Sequence, residues 1–268
     1  NLITARGCPY TCRWCSHGVF GFNHARRSPE DVAAEVAHLA ATYAPDMLWY
    51  ADDVFTISPR WLATYRAALE RRGLRLPFEC ITRADRVTAG VARDLAAMGC
   101  FRVWLGSESG SQRILDAMDR RVTLGQVREA TRMLKAEGID VGMFFMWGYP
   151  GETLADIRAT VDHVVACDPD VVLSTVAYPI AGTPFQEEVV DRIVPLRPWA
   201  QGSDRDQALR GRHSRRYYGL ASRWLKAAHQ LGRLRRQRGA LRPASLRLSG
   251  EIAWVRLGMA LTSGEREA

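Results

Sequence analysis

Three cysteines, Cys8, Cys12 and Cys15, stand within the eight residues Cys8-Pro9-Tyr10-Thr11-Cys12-Arg13-Trp14-Cys15. Thiolate is the soft ligand that iron–sulfur clusters and zinc select. Pro9 argues against a helix, so a loop must wrap the three sulfurs around a common centre. No fourth cysteine lies nearby, since the next is Cys80. A closed structural zinc or cluster site takes four protein ligands. Three thiolates on a four-iron cluster leave one iron open to a ligand that is not protein, which makes a site for chemistry. Zinc is the competing reading. A disulfide finds little support, because no signal peptide is present and cysteine content is modest. Buried apolar packing suits neither Gly7 nor Pro9.

The elements around this loop alternate. Ser28-Pro29-Glu30-Asp31 starts a helix, with Ser28 as cap and Pro29 in the first turn, and Pro45 closes it. Met47 to Tyr50 is a short buried strand ending at Asp52-Asp53, and Ser58-Pro59 opens a second helix stopped by Gly73. Strands follow at Phe78 to Thr82, Phe101 to Leu105, Val141 to Trp147 and Val171 to Ala177, separated by helices at Thr88 to Met98, Ser111 to Met118, Leu124 to Glu137 and Leu154 to Val165. With the apolar run Leu2 to Ala5 as the first strand, six strands alternate with helices, which predicts a parallel α/β sheet with right-handed crossovers. Even spacing suggests a curved sheet, a partial or full barrel, though periodicity alone does not separate this from an open doubly wound sheet. In parallel α/β folds function gathers at the carboxyl ends of strands. The cysteine loop, Asp52-Asp53, Arg83, Ser107-Glu108-Ser109, Gly148 to Glu152 and Tyr178-Pro179 all fall there, so separate strands should bring them to one rim.

The spacing Cys-x3-Cys-x2-Cys, with Trp14 before the last cysteine, resembles the signature of radical S-adenosylmethionine (SAM) enzymes. The resemblance implies a six-stranded parallel partial (β/α)6 barrel and a 4Fe-4S cluster held by Cys8, Cys12 and Cys15, whose open iron is chelated by the amino and carboxylate groups of SAM. It implies reductive cleavage of SAM to a 5′-deoxyadenosyl radical, which abstracts hydrogen from a substrate, or methyl transfer through cobalamin. Asp52 and Asp53, in the form Asp-Asp-x-Phe, occupy the place of the motif that binds the SAM amino group; a carboxylate at a strand end can accept from an ammonium. Glu108, with Ser107 beside it, matches the ribose-binding segment, where a carboxylate suits paired hydroxyls. Arg83 is a candidate partner for the SAM carboxylate. Met146, Trp147 and Gly148, then Tyr178 and Pro179, match the strand ends that pack around adenine, and Trp14 would add backbone contacts. The chain is most similar to the branch with a cobalamin-binding domain ahead of the barrel, including anaerobic magnesium-protoporphyrin ester cyclase and methyltransferase types. Tyr149 replaces a commoner Leu, and no Asp-x-His-x-x-Gly cobalamin loop is present, so cobalamin is an inference about a preceding domain.

The 268 residues are 47% hydrophobic and 25% charged, an ordinary globular composition, with no apolar run near the roughly 20 residues of a membrane span. Residue 1 is Asn, and the first candidate strand begins at once, so the chain reads as part of a longer one. We expect a radical SAM core over 1–190 and a basic, helical extension over 191–268. Much of the +8 net charge sits between Arg197 and Arg247. Leu220, Trp224, Ala228, Leu231 and Leu234 recur there at helical spacing, a stripe that should pack on the barrel. Docking at a membrane surface and contact with RNA are the competing readings. Expected partners are a low-potential electron donor (flavodoxin or ferredoxin) and a small molecule such as a tetrapyrrole, lipid or natural-product intermediate. The expected location is the cytoplasm. A tRNA-modifying function lacks a second cluster motif, and a zinc module without catalysis is the other alternative. Cys80, Cys100 and Cys167 read as buried structural thiols, and His17 and His24 as solvated loop residues within reach of substrate.

Overall fold

The computed structural model describes residues 1–17, 21–238 and 243–267. Its centre is a five-stranded parallel sheet in the order β3 (Leu48–Tyr50), β4 (Phe78–Thr82), β5 (Cys100–Glu108), β6 (Asp140–Trp147) and β7 (Val171–Val176). Helices fill the crossovers: α2 (Pro59–Glu70), α3 (Ala89–Met98), the pair α4 (Gln112–Ala117) and α5 (Leu124–Ala136), and α6 (Leu154–Cys167); α1 (Pro29–Tyr43) precedes β3. The alternation accounts for the parallel sheet, and the partial barrel is the form that the family resemblance implied, here with five strands.

The predicted helix starts are capped as their sequences require. Ser28 Oγ accepts from the Asp31 N–H, Ser58 Oγ from Trp61 and Thr88 Oγ1 from Val91. Thr123 and Gln126 form a reciprocal capping box. Gly99 ends α3 at a φ of +101°. Its Cβ would lie 2.7 Å from the Leu76 carbonyl oxygen, so a side chain there would block the turn into β5.

The sixth strand differs from expectation. Leu2 makes a single parallel bridge to Tyr50 beside β3, and the ladder stops there. The reason is competition for donors: the Thr4 and Ala5 N–H groups go to the Asp52 carboxylate instead of a neighbouring strand. Ala5–Arg6 (β1) then pairs antiparallel with Ala25–Arg26 (β2).

One sheet face is packed under the helices, with Cys80, Val103, Leu105, Val141, Met143 and Phe145 buried. Cys100 and Cys167 are buried free thiols too, as expected. The opposite face carries Trp104 stacked on Phe144 (centroids 4.9 Å apart), and Trp104 Nε1 donates to Glu79 at 2.8 Å.

Beyond β7 come α7 (Pro184–Val189), the hairpin β8 (Ile193–Pro195) and β9 (Gln207–Leu209), and helices α8 (Arg215–Arg238) and α9 (Pro243–Leu261). Leu220, Trp224 and Leu231 of α8 are buried, and Leu220 and Trp224 join the barrel core, so the expected stripe packs inward. Two of the tail arginines tie the same helix down: Arg233 pairs with Asp168 and Asp170, and Arg236 with Asp168.

Candidate active site

The cysteine loop begins at a position only glycine can fill. Gly7 has a φ of +83°, and a Cβ there would lie 2.2 Å from the Asn23 carbonyl oxygen. The loop is then stitched to the far side of the sheet. Arg13 donates its N–H to Met118 O, Phe185 donates to Arg13 O, and Thr11 Oγ1 donates to Asp119 at 2.6 Å. The Cys15 N–H closes a turn on Cys12 O. All three thiols are free.

Two buried arginines meet at Cys12. Arg83, at the end of β4, places NH1 3.7 Å from the Cys12 sulfur; Arg120, between α4 and α5, places its NH1 3.9 Å from it. Arg83 also stacks on the Tyr10 ring at 3.7 Å, donates to Asp85, and caps the carbonyls of Arg120 and Arg121. Arg120 continues to Glu108, with Nε 3.9 Å from its carboxylate, and donates to Gly106 O. Burial pushes the Cys12 thiol up while Arg120 and then Arg83 pull it back. Cys8 is raised by burial, and Glu108 is raised by burial against the same two arginines. Glu108 reaches this position through a register shift in β5 and a φ of +60°. Among the described residues no three His, Cys, Asp or Glu side chains gather closely enough for a single metal ion. The donor set does fit a cluster with three protein ligands: three free thiols on one loop, with two guanidinium groups balancing thiolate charge.

The other predicted residues divide. Asp53 joins the site, 2.8 Å from His17 Nε2; Asp53 and then Cys15 hold the His17 imidazolium up to about 10. Trp14 packs against an apolar cluster containing Met146, Tyr149 and Ala177. Asp52 instead turns to the N-terminal segment, accepting from Thr4, Ala5 and Arg26. Ser107 turns toward α6, with Oγ 3.3 Å from His163 Nε2. Gly148 adopts a φ of +71° against Tyr218 and Arg212. Tyr178 lies under Arg205 at 5.3 Å, next to buried Pro179. Arg120 and Tyr10 were missed by the motif reading. Tyr10 lies inside the quoted loop, and Arg120 is one of three successive charged residues, Asp119-Arg120-Arg121, with nothing to single it out.

A cysteine-bearing loop held at the carboxyl rim of a parallel partial barrel defines a class of cofactor-dependent α/β enzymes. The chain belongs to the Radical SAM superfamily, whose family model matches residues 2–164. Enzymes of this family use a 4Fe-4S cluster and SAM. An uncharacterized methyltransferase of Pyrococcus horikoshii is 27% identical over 79% of this chain and 47% of its own length. The anaerobic magnesium-protoporphyrin IX monomethyl ester cyclase of Cereibacter sphaeroides is 26% identical over 70% of this chain and 32% of its own. The chain thus spans half or less of these relatives. The cobalamin-dependent radical SAM enzyme OxsB, solved with aqua-cobalamin, shares the fold at a TM-score of 0.67 and 14% identity, over 99% of this chain and 51% of that one.

Proposed function

We propose that residues 1–190 are the catalytic core, and 191–268 a helical extension, of a radical SAM enzyme of the methyltransferase or oxidative-cyclase kind. The observation that carries this is the Cys12 sulfur between Arg83 and Arg120, with Glu108 on the same arginine. Cys8, Cys12 and Cys15 would hold the 4Fe-4S cluster. When bound with SAM, that group supplies one-electron cleavage of the sulfonium bond and radical chemistry on a substrate.

The chain's own residues hold and aim. Arg83 and Arg120 fix the Cys12 side of the loop and offset its charge. Asp53, oriented by His17, accepts from the SAM ammonium, while Asp52 secures the strand end on which Asp53 sits. Glu108 accepts from the ribose hydroxyls. Met146, Gly148, Tyr178 and Pro179 wall the adenine, with Trp14 behind Met146, and Ser107 anchors the Glu108 turn to α6. The Arg83 guanidinium is already shared among Cys12, Asp85 and two carbonyls, which favours a bracing role over direct contact with the SAM carboxylate. In the full-length protein a preceding domain would bring cobalamin, flavodoxin or ferredoxin the electron, and a small molecule such as a tetrapyrrole the substrate.

Anaerobic reconstitution tests the reading. About four irons and four sulfides per chain are expected, with slow release of 5′-deoxyadenosine on reduction with SAM. Cys8→Ala, Cys12→Ala or Cys15→Ala should each abolish the intact cluster, and Cys80→Ala should spare it. Stoichiometric zinc without an iron–sulfur chromophore would overturn the proposal.

A further inference from the structure

Helix α9 is apolar on two opposed sides. Ser245, Leu248, Val255 and Met259 are buried against the rest of the protein. At 3.6 residues per turn, Leu246, Trp254, Leu257 and Leu261 fall on the other side. Those four are 66%, 57%, 60% and 76% exposed. Gly250 and Ala253 complete the row and are exposed as well. A helix hydrophobic all round is ordinarily buried all round. This one is covered on one side only.

The surroundings of the row are cationic. Helices α8 and α9 together carry ten arginine and lysine residues and one acid, Glu251. That acid is paired with Arg223, which also lies over the Trp254 ring at 4.9 Å. Arg215, Arg216, Arg233 and Arg236 are paired with acids as well. Arg247 and Arg256 flank the row on either side and pair with no acid among the described residues. Next to it, a groove of about 410 Å³ is lined by Leu154, Arg158, Trp224, Ala253, Arg256, Met259 and Ala260, and by no acid.

We propose that this face of α9 docks the protein peripherally on an anionic phospholipid surface. The row supplies Leu and Trp side chains to the acyl boundary, and the flanking arginines reach phosphates with their stems along the apolar surface. Among the described residues no helix is long and apolar enough to cross a membrane, so α9 lies in the interface plane. Charge decides between occupants. A second copy would set Arg247 and Arg256, which pair with no acid among the described residues, against the same two arginines, and an RNA would cover four uncharged, water-excluding side chains with phosphate.

The test is flotation of the full-length protein with vesicles of phosphatidylglycerol and phosphatidylcholine, against phosphatidylcholine alone. Binding is expected with the anionic vesicles and weakened by salt. Trp254→Ser with Leu257→Ser should lower the vesicle affinity by about tenfold or more, with thermal stability unchanged. Arg247→Gln with Arg256→Gln should weaken binding and flatten its salt dependence. Lipids brominated on the acyl chain should quench part of the wild-type tryptophan emission and quench Trp254→Phe less, a reading that needs no destabilised variant. Equal flotation of wild type and the serine double variant, no binding to anionic vesicles, or a dimer broken by Trp254→Ser without vesicle binding would each overturn the proposal.

Discussion

Asp52 accepts from both the backbone N–H and the hydroxyl of Thr4, at 2.6 and 2.5 Å. Arg26, almost fully buried, closes the arrangement at 3.2 Å. This carboxylate therefore ties the segment entering the cysteine loop to the end of β3. Removing it takes the acceptor from two backbone donors and leaves the Arg26 charge with only the Val54 and Phe55 carbonyls, so Asp52→Ala should cost about 3 kcal/mol of stability. Denaturant unfolding of the cluster-free protein measures it. A loss below about 1 kcal/mol would mean that Asp52 serves the cofactor rather than the scaffold.

That residue also marks the limit of what the amino-acid order discloses. Helix starts at Ser28, Ser58 and Thr88 were legible because a cap and its donor lie three residues apart. The cysteine loop was legible for the same reason, its ligands being neighbours in the chain. Whether Thr4 and Ala5 extend a strand depends on a carboxylate 48 residues away, and no local pattern records that. Arg120 meets Cys12 across 108 residues, from a turn with left-handed residues on either side of it. Helix α9 escaped because its apolar residues occupy opposite sides and so show no amphipathic period. Ser107 read as a loop residue after a strand ending at Leu105, but β5 continues through Glu108 and turns the Ser107 side chain toward α6.

Arg120 should tune the cluster proposed at Cys12. A positive charge near the cluster favours its reduced form, so Arg120→Met should lower the reduction potential, by on the order of 100 mV for a largely buried charge. Arg120→Lys should recover most of the difference. Potentiometric titration followed by electron paramagnetic resonance reads this directly. An unchanged potential in Arg120→Met would place the cluster away from Cys12.

Gly7 is the backbone requirement of the loop. Gly7→Ala combines a left-handed conformation, costing about 1–2 kcal/mol for a residue with a Cβ, with a collision against the Asn23 carbonyl. Reconstituted iron should fall well below that of wild type, because the β1–β2 approach that presents Cys8 must open. A change at Gly73, where a Cβ would meet nothing, is the matched control for the left-handed conformation alone. Wild-type iron content in Gly7→Ala would show that the loop does not depend on this approach.

Two buried groups should give the fold opposite pH limbs. Burial raises Glu152 from near 4.5 to about 8, although the Gly148 N–H donates to it at 2.6 Å. The folded protein therefore keeps a proton that the unfolded chain releases. The associated stability is present below about pH 4.5 and lost as pH rises through about 8. Burial lowers His163 from 6.5 to about 4. Here the unfolded chain takes the proton first, so stability is present above pH 6.5 and lost as pH falls through about 4. Each effect is on the order of a few kcal/mol at most. Thermal melts of the cluster-free protein from acid to alkaline pH separate them. Glu152→Gln, whose amide oxygen can still accept from Gly148, should flatten the alkaline fall, and His163→Gln the acid fall. An alkaline limb unchanged in Glu152→Gln would show that this carboxyl ionises at its ordinary pH despite its burial.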